Sequence, residues 1–140
     1  MKNLPYRKNV VGVIILKDKF LLVKKPDNNF WWFVQGGIND NESADEALTR
    51  EIKEELNLID FKIARKLKAT FQYDWPEDYQ KLKGFKGQEQ TFFLIKLDSK
   101  PEITLDKKEL EDYQFVMPKD LFDLMKYPRG FLEGLFNEIN

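Results

Sequence analysis

The segment that most constrains the fold spans residues 30–58, where an aromatic run, a Gly-Gly pair and a helix-like stretch follow one another. Ser43 and Glu46 have the spacing of a capping box, in which each side chain bonds the backbone N–H of the other residue. The apolar residues that follow recur every three or four positions, which gives a helix one buried face. Asn57 then tolerates the left-handed backbone at which helices end. The sequence therefore predicts a helix over Ser43–Leu56 whose apolar side faces the core.

The rest of the chain contains short β-rich runs before and after this helix. Two of these runs flank Lys17-Asp18-Lys19 closely enough to predict a hairpin. A polar loop is expected between residues 73 and 91. Strands around one helix, with further helices at the end and no repeat or linker, predict one mixed α/β domain over residues 1–140. The predicted strands are Val10–Leu16, Phe20–Lys24, Phe30–Val34, Lys66–Tyr73, Thr91–Leu97 and Tyr113–Met117, and the predicted C-terminal helices are Pro118–Met125 and Arg129–Asn137.

The composition excludes several kinds of active site. The 140 residues include neither His nor Cys, so a thiolate zinc site, a cysteine nucleophile and a Ser-His triad are all ruled out. Any metal must be held by carboxylate and carbonyl oxygens, which favours Mg²⁺, Mn²⁺ or Ca²⁺ over Zn²⁺. The net charge of −1 argues against a broad basic surface for duplex DNA but leaves room for a local basic pocket.

Nothing in the sequence predicts a membrane protein. The apolar run Val10–Leu16 is much shorter than the roughly 20 residues that a membrane span requires. No small-residue cleavage site follows it, so it is interpreted as a buried strand and not as a secretion signal. The expected location is the cytoplasm.

Three carboxylates share one side of the predicted helix. Glu51, Glu54 and Glu55 are three and four residues apart, so they are neighbours on the helix surface and repel one another. A hard divalent cation would relieve this repulsion, because several carboxylate oxygens can bind it together. Arg50 could pair with one carboxylate and fix its direction. Taken alone, however, such a cluster is more often a solvated surface face.

The wider spacing favours the metal-binding interpretation. Gly36 is followed after five residues by Glu42, and seven residues later by Arg50-Glu51-Ile52, one further residue, Glu54-Glu55 and then Leu58. This pattern resembles the Nudix box, the signature of hydrolases that act on nucleoside diphosphates linked to another group. The box departs from the usual pattern at Asn57, where Gly is common, at Asp40-Asn41, where Pro-Gly is common, and just before it at Val34, where Pro is common. None of these changes removes a carboxylate.

Five further segments resemble one branch of the Nudix family, which contains bacterial RNA 5′-pyrophosphohydrolases and asymmetric dinucleoside polyphosphate hydrolases. Near the C-terminus, Tyr127-Pro128-Arg129 stands where the branch usually has an aromatic residue followed by Lys-Arg. This change puts one phosphate contact in question. The matching segments are Tyr6–Val10 (YRKNV), Gln35–Asn39 (QGGIN), Tyr73–Pro76 (YDWP), Lys86–Phe93 (KGQEQTFF) and Glu109-Leu110 ahead of Tyr113–Val116.

The resemblance implies a Nudix fold, in which a mixed β-sheet lies between α-helices, and a Mg²⁺-dependent hydrolase with its box at residues 36–58. Mn²⁺ is a possible substitute metal. Which glutamate is the general base stays open, with Glu54 serving as ligand or base, and Arg50 is expected to be braced by Glu42. Glu111 is a nearby competitor for the role of Glu109. The implied metal ligands are Glu51, Glu54, Glu55, Glu109 and the backbone carbonyl of Gly36, and the implied catalytic residues are Glu51, Glu54, Glu55 and Arg50.

Cationic and hydrogen-bonding side chains are expected around the substrate's phosphates. Lys25 is a weaker candidate, because a cation at a strand end is common. The segment Tyr79–Lys86 mixes cations with aromatics, which suits a single-stranded RNA end but equally a solvated loop. The substrate-binding candidates are Arg7, Gln35, Tyr73, Lys86, Gln88 and Tyr127.

These features predict an enzyme that removes pyrophosphate from 5′-triphosphorylated RNA. The alternative is an asymmetric diadenosine tetraphosphate hydrolase, and a nucleoside triphosphate housecleaning enzyme is a third possibility. An inactive nucleotide-binding module is disfavoured because all box glutamates are present. The expected partner is a nucleotide or 5′-phosphorylated RNA. The protein is expected to be a monomer or homodimer, since the apolar positions Leu121, Leu124, Phe131 and Leu135 suit a core but could also cover a dimer contact.

Overall fold

The computed structural model describes residues 3–140, which form seven strands and four α-helices. A short 3₁₀ turn at Pro118–Asp120 precedes the third helix. The strands are β1 (Tyr6–Leu16), β2 (Lys19–Lys24), β3 (Trp31–Trp32), β4 (Val34–Gly37), β5 (Ile63–Asp74), β6 (Gly87–Leu97) and β7 (Asp112–Val116), and the helices are α1 (Ala44–Leu56), α2 (Glu77–Lys83), α3 (Leu121–Leu124) and α4 (Arg129–Ile139).

The central strand of the mixed sheet is β1. It runs parallel to β6 along its whole length, and β5 pairs with the far side of β6. The other edge of β1 is shared by two strands, because Asn9–Gly12 pair with β4 and the last two residues pair with β2. The antiparallel pairing of Ile15 with Phe20 confirms the predicted hairpin. Strand β7 completes the sheet by pairing with β2.

Helices cover both faces of this sheet, which confirms the predicted fold class. Alternate residues of a strand point to opposite faces, so Val11 and Val13 of β1 enter the core beneath α3 and α4, whereas Val10 and Ile14 enter the core beneath α1. The C-terminal helices bury Leu121 and Leu135 against the sheet. Leu124 and Phe131, the other two apolar positions, are partly buried against the same core.

The prediction of one strand over Phe30–Val34 is wrong, because the chain changes partner within it. Strand β3 pairs with β2, whereas β4 pairs with β1. Phe33 stands between them with its side chain wholly buried. Strand β4 continues through Gly37. The Gln-Gly-Gly segment therefore lies inside β4 and not in the turn after it.

The predicted polar loop contains a helix that the sequence did not indicate. Strand β5 continues to Asp74 and β6 begins at Gly87, and α2 lies between them. This helix begins after Pro76 and ends at Gly84, whose φ of 78° is the left-handed conformation that suits glycine. It buries none of its residues. An exposed helix has no apolar periodicity from which it could be predicted.

The C-terminal helix is tied to β5, the last strand of the sheet. The pairing of β5 with β6 shifts register between Lys66 and Thr70. At this irregularity, the carboxylate of Glu138 accepts hydrogen bonds from the backbone N–H groups of Lys68 and Ala69. Arg65 Nη2 donates to the backbone oxygen of Glu138 at 2.7 Å. In residues 3–140, no helix combines the length and apolar character needed to cross a membrane.

Candidate active site

Helix α1 begins and ends as the sequence predicts. Glu46 N donates to Ser43 Oγ at 3.1 Å and Ser43 N donates to Glu46 Oε1 at 3.0 Å, which confirms the capping box. Asn57 has a φ of 54° and terminates the helix in the left-handed conformation. Its side-chain amide donates to the Thr104 carbonyl at 2.6 Å, so this end of α1 is fixed to the segment that precedes β7.

Arg50 clamps the loop before α1 to the helix. Its Nε and Nη2 donate to the two carboxylate oxygens of Glu42 at 2.8 and 2.9 Å, which confirms the predicted pair. Its Nη1 donates to Glu51 Oε1 at 2.7 Å, and its Nη2 donates to the Gly37 carbonyl at 3.0 Å. The bidentate bond to Arg50 lowers the pKa of Glu42 to about 2. One guanidinium group therefore fixes the direction of the Glu51 carboxylate relative to β4.

The two glycines of β4 let side chains lie directly against the strand. A Cβ atom on Gly36 would overlap the carboxyl group of Glu51, and a Cβ atom on Gly37 would overlap the guanidinium of Arg7. Neighbouring residues of a strand face opposite sides of the sheet. The Gly36-Gly37 pair therefore lies between a carboxylate on the α1 side and a cation on the other side.

Glu55 is a buried carboxyl group with like charges around it. The residue is 9% exposed. Burial, together with the charge and hydrogen bond of Glu51 and the charge of Glu109, raises the pKa of Glu55 to about 8. Lys25 acts in the opposite direction. A divalent cation would favour the ionised form of this group, so the oxygen-only donor set fits a hard metal ion such as Mg²⁺.

The third carboxylate of α1 lies apart from the other two. The Glu54 side chain is 58% exposed and its Oε2 is 3.5 Å from Arg50 Nη1. In the described part of the chain, no three acidic side chains already lie close enough together to hold a cation. The helix therefore supplies a buried carboxyl group, Glu55, a mostly buried one, Glu51, and an exposed one, Glu54.

Glu109 and Glu111 differ in what they contact. Glu111 forms an ion pair with Lys24 at 3.0 Å, and its backbone N–H donates to the Lys24 carbonyl. Glu109 is exposed, and its charge acts on Glu55. Its segment is held to the end of α1 because Asp106 N donates to the Glu55 carbonyl at 2.9 Å. Glu109 is therefore the better-placed candidate for a fourth carboxylate.

Four of the six predicted substrate-binding residues lie on the other face of the sheet, in two hydrogen-bonded groups. Gln90 Nε2 donates to Gln35 Oε1 at 2.9 Å and also to Asn9 at 3.0 Å. Tyr127 donates its hydroxyl proton to Gln90 Oε1 at 2.7 Å, and Gln88 Nε2 donates to the Tyr73 hydroxyl at 2.7 Å. Gln35 and Tyr127 are thus both bonded to Gln90, and Tyr73 lines one pocket with Gln90 and Tyr127.

Tyr127, Tyr73 and Lys86 also have surroundings outside these hydrogen bonds. The Tyr127 ring packs at 5.0 Å from Phe71 and 5.1 Å from Phe131, so it belongs to the aromatic core as much as to the site. Burial raises the pKa of both Tyr73 and Tyr127. Lys86 lies over the ring of Tyr6, one residue from Arg7, at 5.7 Å from its centroid.

An aromatic pocket of about 330 Å³ adjoins these residues, and of its seven lining residues the sequence predicted only Tyr73 and Tyr127 as substrate-binding. Trp32 connects the pocket to the carboxylates, since Lys25 Nζ lies 5.6 Å from its ring centroid and acts on Glu55. Lys126 also lines the pocket. The aromatic run before Gln-Gly-Gly was the only sequence feature that pointed to this pocket. Its other residues come from distant segments of the chain, so no local pattern marks them. Its lining residues are Trp32, Phe71, Tyr73, Gln90, Lys126, Tyr127 and Pro128.

Comparison with known proteins gives consistent matches over most of the chain. The model of the NUDIX domain family matches residues 6–134. A Nitratiruptor protein named RNA pyrophosphohydrolase is 37% identical over 136 residues, which cover 91% of this chain and 88% of that protein. A Campylobacter jejuni protein of the same name is 34% identical, with coverage of 87% and 84%. The solved Ap4A hydrolase complex of C. elegans has a TM-score of 0.77 at 21% identity, with coverage of 95% and 97%, and shows the fold alone.

Proposed function

This chain belongs to the NUDIX domain family, and from that premise we propose that it is a pyrophosphohydrolase that removes pyrophosphate from the 5′ end of triphosphorylated RNA. The observation that carries the proposal is the Glu51–Glu55 pair, in which Glu55 is buried and Glu51 is held against Gly36 by its bond to Arg50. A protein that used this helix only as a structural element would gain nothing from burying one carboxyl group beside another.

Mg²⁺ is the metal that we propose for this donor set, with Mn²⁺ as a substitute. Glu51 and Glu55 would hold it, together with Glu54, Glu109 and the Gly36 carbonyl. When bound, it supplies charge neutralisation for the phosphates and lowers the pKa of a coordinated water. The Gly37 carbonyl already accepts a hydrogen bond from Arg50, which is why we assign the ligand role to Gly36.

The chain's own residues account for the remaining requirements of phosphoanhydride hydrolysis. Arg7, which lies against Gly37, and Lys86, two residues before Gln88, the partner of Arg7 in β6, would bind the phosphates. A glutamate of α1 would accept the proton of the attacking water. Water adds to the phosphorus, the phosphoanhydride bond breaks, and pyrophosphate leaves behind a 5′-monophosphate. Arg50 acts as a positioning residue, because it directs Glu51.

RNA is preferred over dinucleoside polyphosphates as the substrate because the two relatives named above carry the name RNA pyrophosphohydrolase. The branch motifs fit both substrates, so asymmetric hydrolysis of diadenosine tetraphosphate is the second candidate. An RNA substrate would also fit a cytoplasmic location.

The proposal is tested by offering 5′-triphosphate RNA, diadenosine tetraphosphate and free nucleoside triphosphates to the protein at equal concentration in Mg²⁺, with products identified by mass. Monophosphate RNA ends and pyrophosphate are the expected main products. Glu55→Gln should reduce turnover by about 100-fold or more, because it removes a metal-binding carboxylate. Glu77→Gln, on the exposed helix α2, is the matched control. Faster release of ATP and AMP from diadenosine tetraphosphate would favour the second candidate.

A further inference from the structure

Helix α2 is an exposed element that none of the proposed steps of hydrolysis uses. It buries none of its residues. Two of the four exposed large apolar side chains in residues 3–140 belong to this short helix, Tyr79 at 42% and Leu82 at 76% exposure. These residues are three positions apart, so they are neighbours on the helix surface. Apolar side chains that are exposed together commonly mark a surface that contacts another molecule.

The helix borders the aromatic pocket. It begins four residues after Tyr73, which lines that pocket. The ring of Tyr79 packs edge-on against Trp75, with 4.7 Å between the ring centroids. Both side chains are close enough to the Tyr73 hydroxyl to act on its pKa, which burial raises. The aromatic surface of the pocket therefore continues onto α2 through Trp75 and Tyr79.

Residues 79–86, which form the second half of α2 and the segment after it, are basic. They include three lysines and neither Asp nor Glu. Lys83 Nζ lies 5.6 Å from the Tyr79 ring centroid, and Lys81 has an exposed partner, Glu77, at 4.0 Å. Water screens a pair of this kind almost completely, so Lys81 can exchange it for a phosphate. The acidic residues of the helix lie in its first turn, where the helix dipole stabilises them.

This combination of rings and cations indicates a single-stranded nucleic acid. Successive bases stack on aromatic side chains whatever their identity, while cations neutralise the phosphates between them. The lysines distinguish the surface from a contact with a protein, because the centre of a protein–protein interface is depleted in Lys. Lys86, at the end of the basic segment, is already a candidate for binding the phosphates at the 5′ end.

We propose that α2 binds the RNA downstream of its 5′ end, with Tyr79 stacking on a base and Lys81 and Lys83 contacting phosphates. The contact is independent of sequence, because every base has a face that can stack. It adds affinity for long RNAs and none for a free nucleotide. The identity of the substrate as RNA rests on the proposed function, whereas the surface itself is defined by α2.

The test compares two unstructured 5′-triphosphate RNAs, of 3 and 10 nucleotides, that share their first three nucleotides. Affinity is measured by calorimetry in the presence of a chelator, so that no hydrolysis occurs. The longer RNA should bind roughly 10-fold more tightly, whether its tail contains only uridine or only adenosine. An abasic tail, which keeps the phosphates, should lose the part of this advantage that stacking provides. Equal affinity for both lengths would overturn the inference in favour of a protein as the partner of α2.

Variants then assign the effect to α2. Lys81→Gln with Lys83→Gln should lower the slope of log affinity against log salt concentration by about 1.4, the value for two phosphate contacts on a single strand. Replacement of both lysines by arginine should preserve the slope. Tyr79→Ala should reduce affinity for the longer RNA about 5-fold but leave affinity for the abasic tail unchanged. The matched control is Lys62→Gln with Lys100→Gln, because both lysines are exposed and lie at the opposite end of β5 and β6. An equal change of slope in both double variants would contradict the role of α2.

Failure of this inference is distinguishable from failure of the proposed function. If both RNAs are bound equally and hydrolysed with equal kcat/KM in Mg²⁺, pyrophosphate removal stands and the role of α2 is refuted. If neither RNA is hydrolysed but the longer one binds more tightly through Lys81 and Lys83, the inference stands and the proposed function is wrong.

Discussion

Replacement of Glu55 by glutamine should make the metal-free protein more stable at alkaline pH. The pKa of Glu55 is about 8 in the folded protein, against 4.5 for an unperturbed glutamate. The folded state therefore binds more protons than the unfolded chain between these values, and stability falls as the pH rises through that range. One pKa unit corresponds to about 1.4 kcal/mol, so between pH 5 and pH 8 we expect a loss of about 3 kcal/mol. Glutamine does not titrate, so Glu55→Gln removes this loss.

The measurement is urea unfolding at pH 5 to 8 in the presence of a chelator. The window is favourable because the chain has no histidine, so few other groups titrate within it. Glu54→Gln is the matched control. The Glu54 side chain is 58% exposed, so removal of its charge should leave the pH dependence of stability unchanged. Mg²⁺ at pH 8 should stabilise the unaltered protein more than the Glu55→Gln variant. Parallel loss of stability in the unaltered protein and the Glu55→Gln variant would show that the burial argument is wrong.

Three further perturbations test the rest of the site. Gly36→Ala should reduce turnover at least 10-fold and lower stability by about 1–3 kcal/mol, because its methyl group would displace the Glu51 carboxyl; turnover near that of the unaltered protein would contradict the close approach. Glu42→Gln should destabilise the protein above pH 5, and the difference from the unaltered protein should vanish as the pH falls towards 2, where the carboxylate of the Arg50 pair is itself protonated. A difference in stability that persists at pH 2 would show that the Arg50 pair is not its source. Glu109→Gln should slow hydrolysis while Glu111→Gln, which breaks only the pair with Lys24, should not; the reverse result in steady-state rates would exchange their roles.

The parts of the structure that could be predicted from sequence are those determined by neighbours in the chain. The capping box at Ser43, the helix that follows and the Glu42–Arg50 pair depend on residues a few positions apart. Helix α2 could not be found, because none of its residues is buried and no apolar period marks it. The aromatic pocket was missed for a different reason. It joins Trp32 to Gln90 and Tyr127, and only the sheet topology and the course of the C-terminal segment bring these together.

The contact between Glu138 and β5 affects how copies of the protein can meet. An edge strand exposes backbone groups that can pair with the edge of another molecule, and this is a common beginning of aggregation. In β5 the pairing is irregular between Lys66 and Thr70, and the Glu138 carboxylate already occupies the N–H groups of Lys68 and Ala69. An incoming strand would find neither a regular template nor free N–H donors at Lys68 and Ala69. The last helix thus protects the sheet from growing by the addition of strands from other molecules.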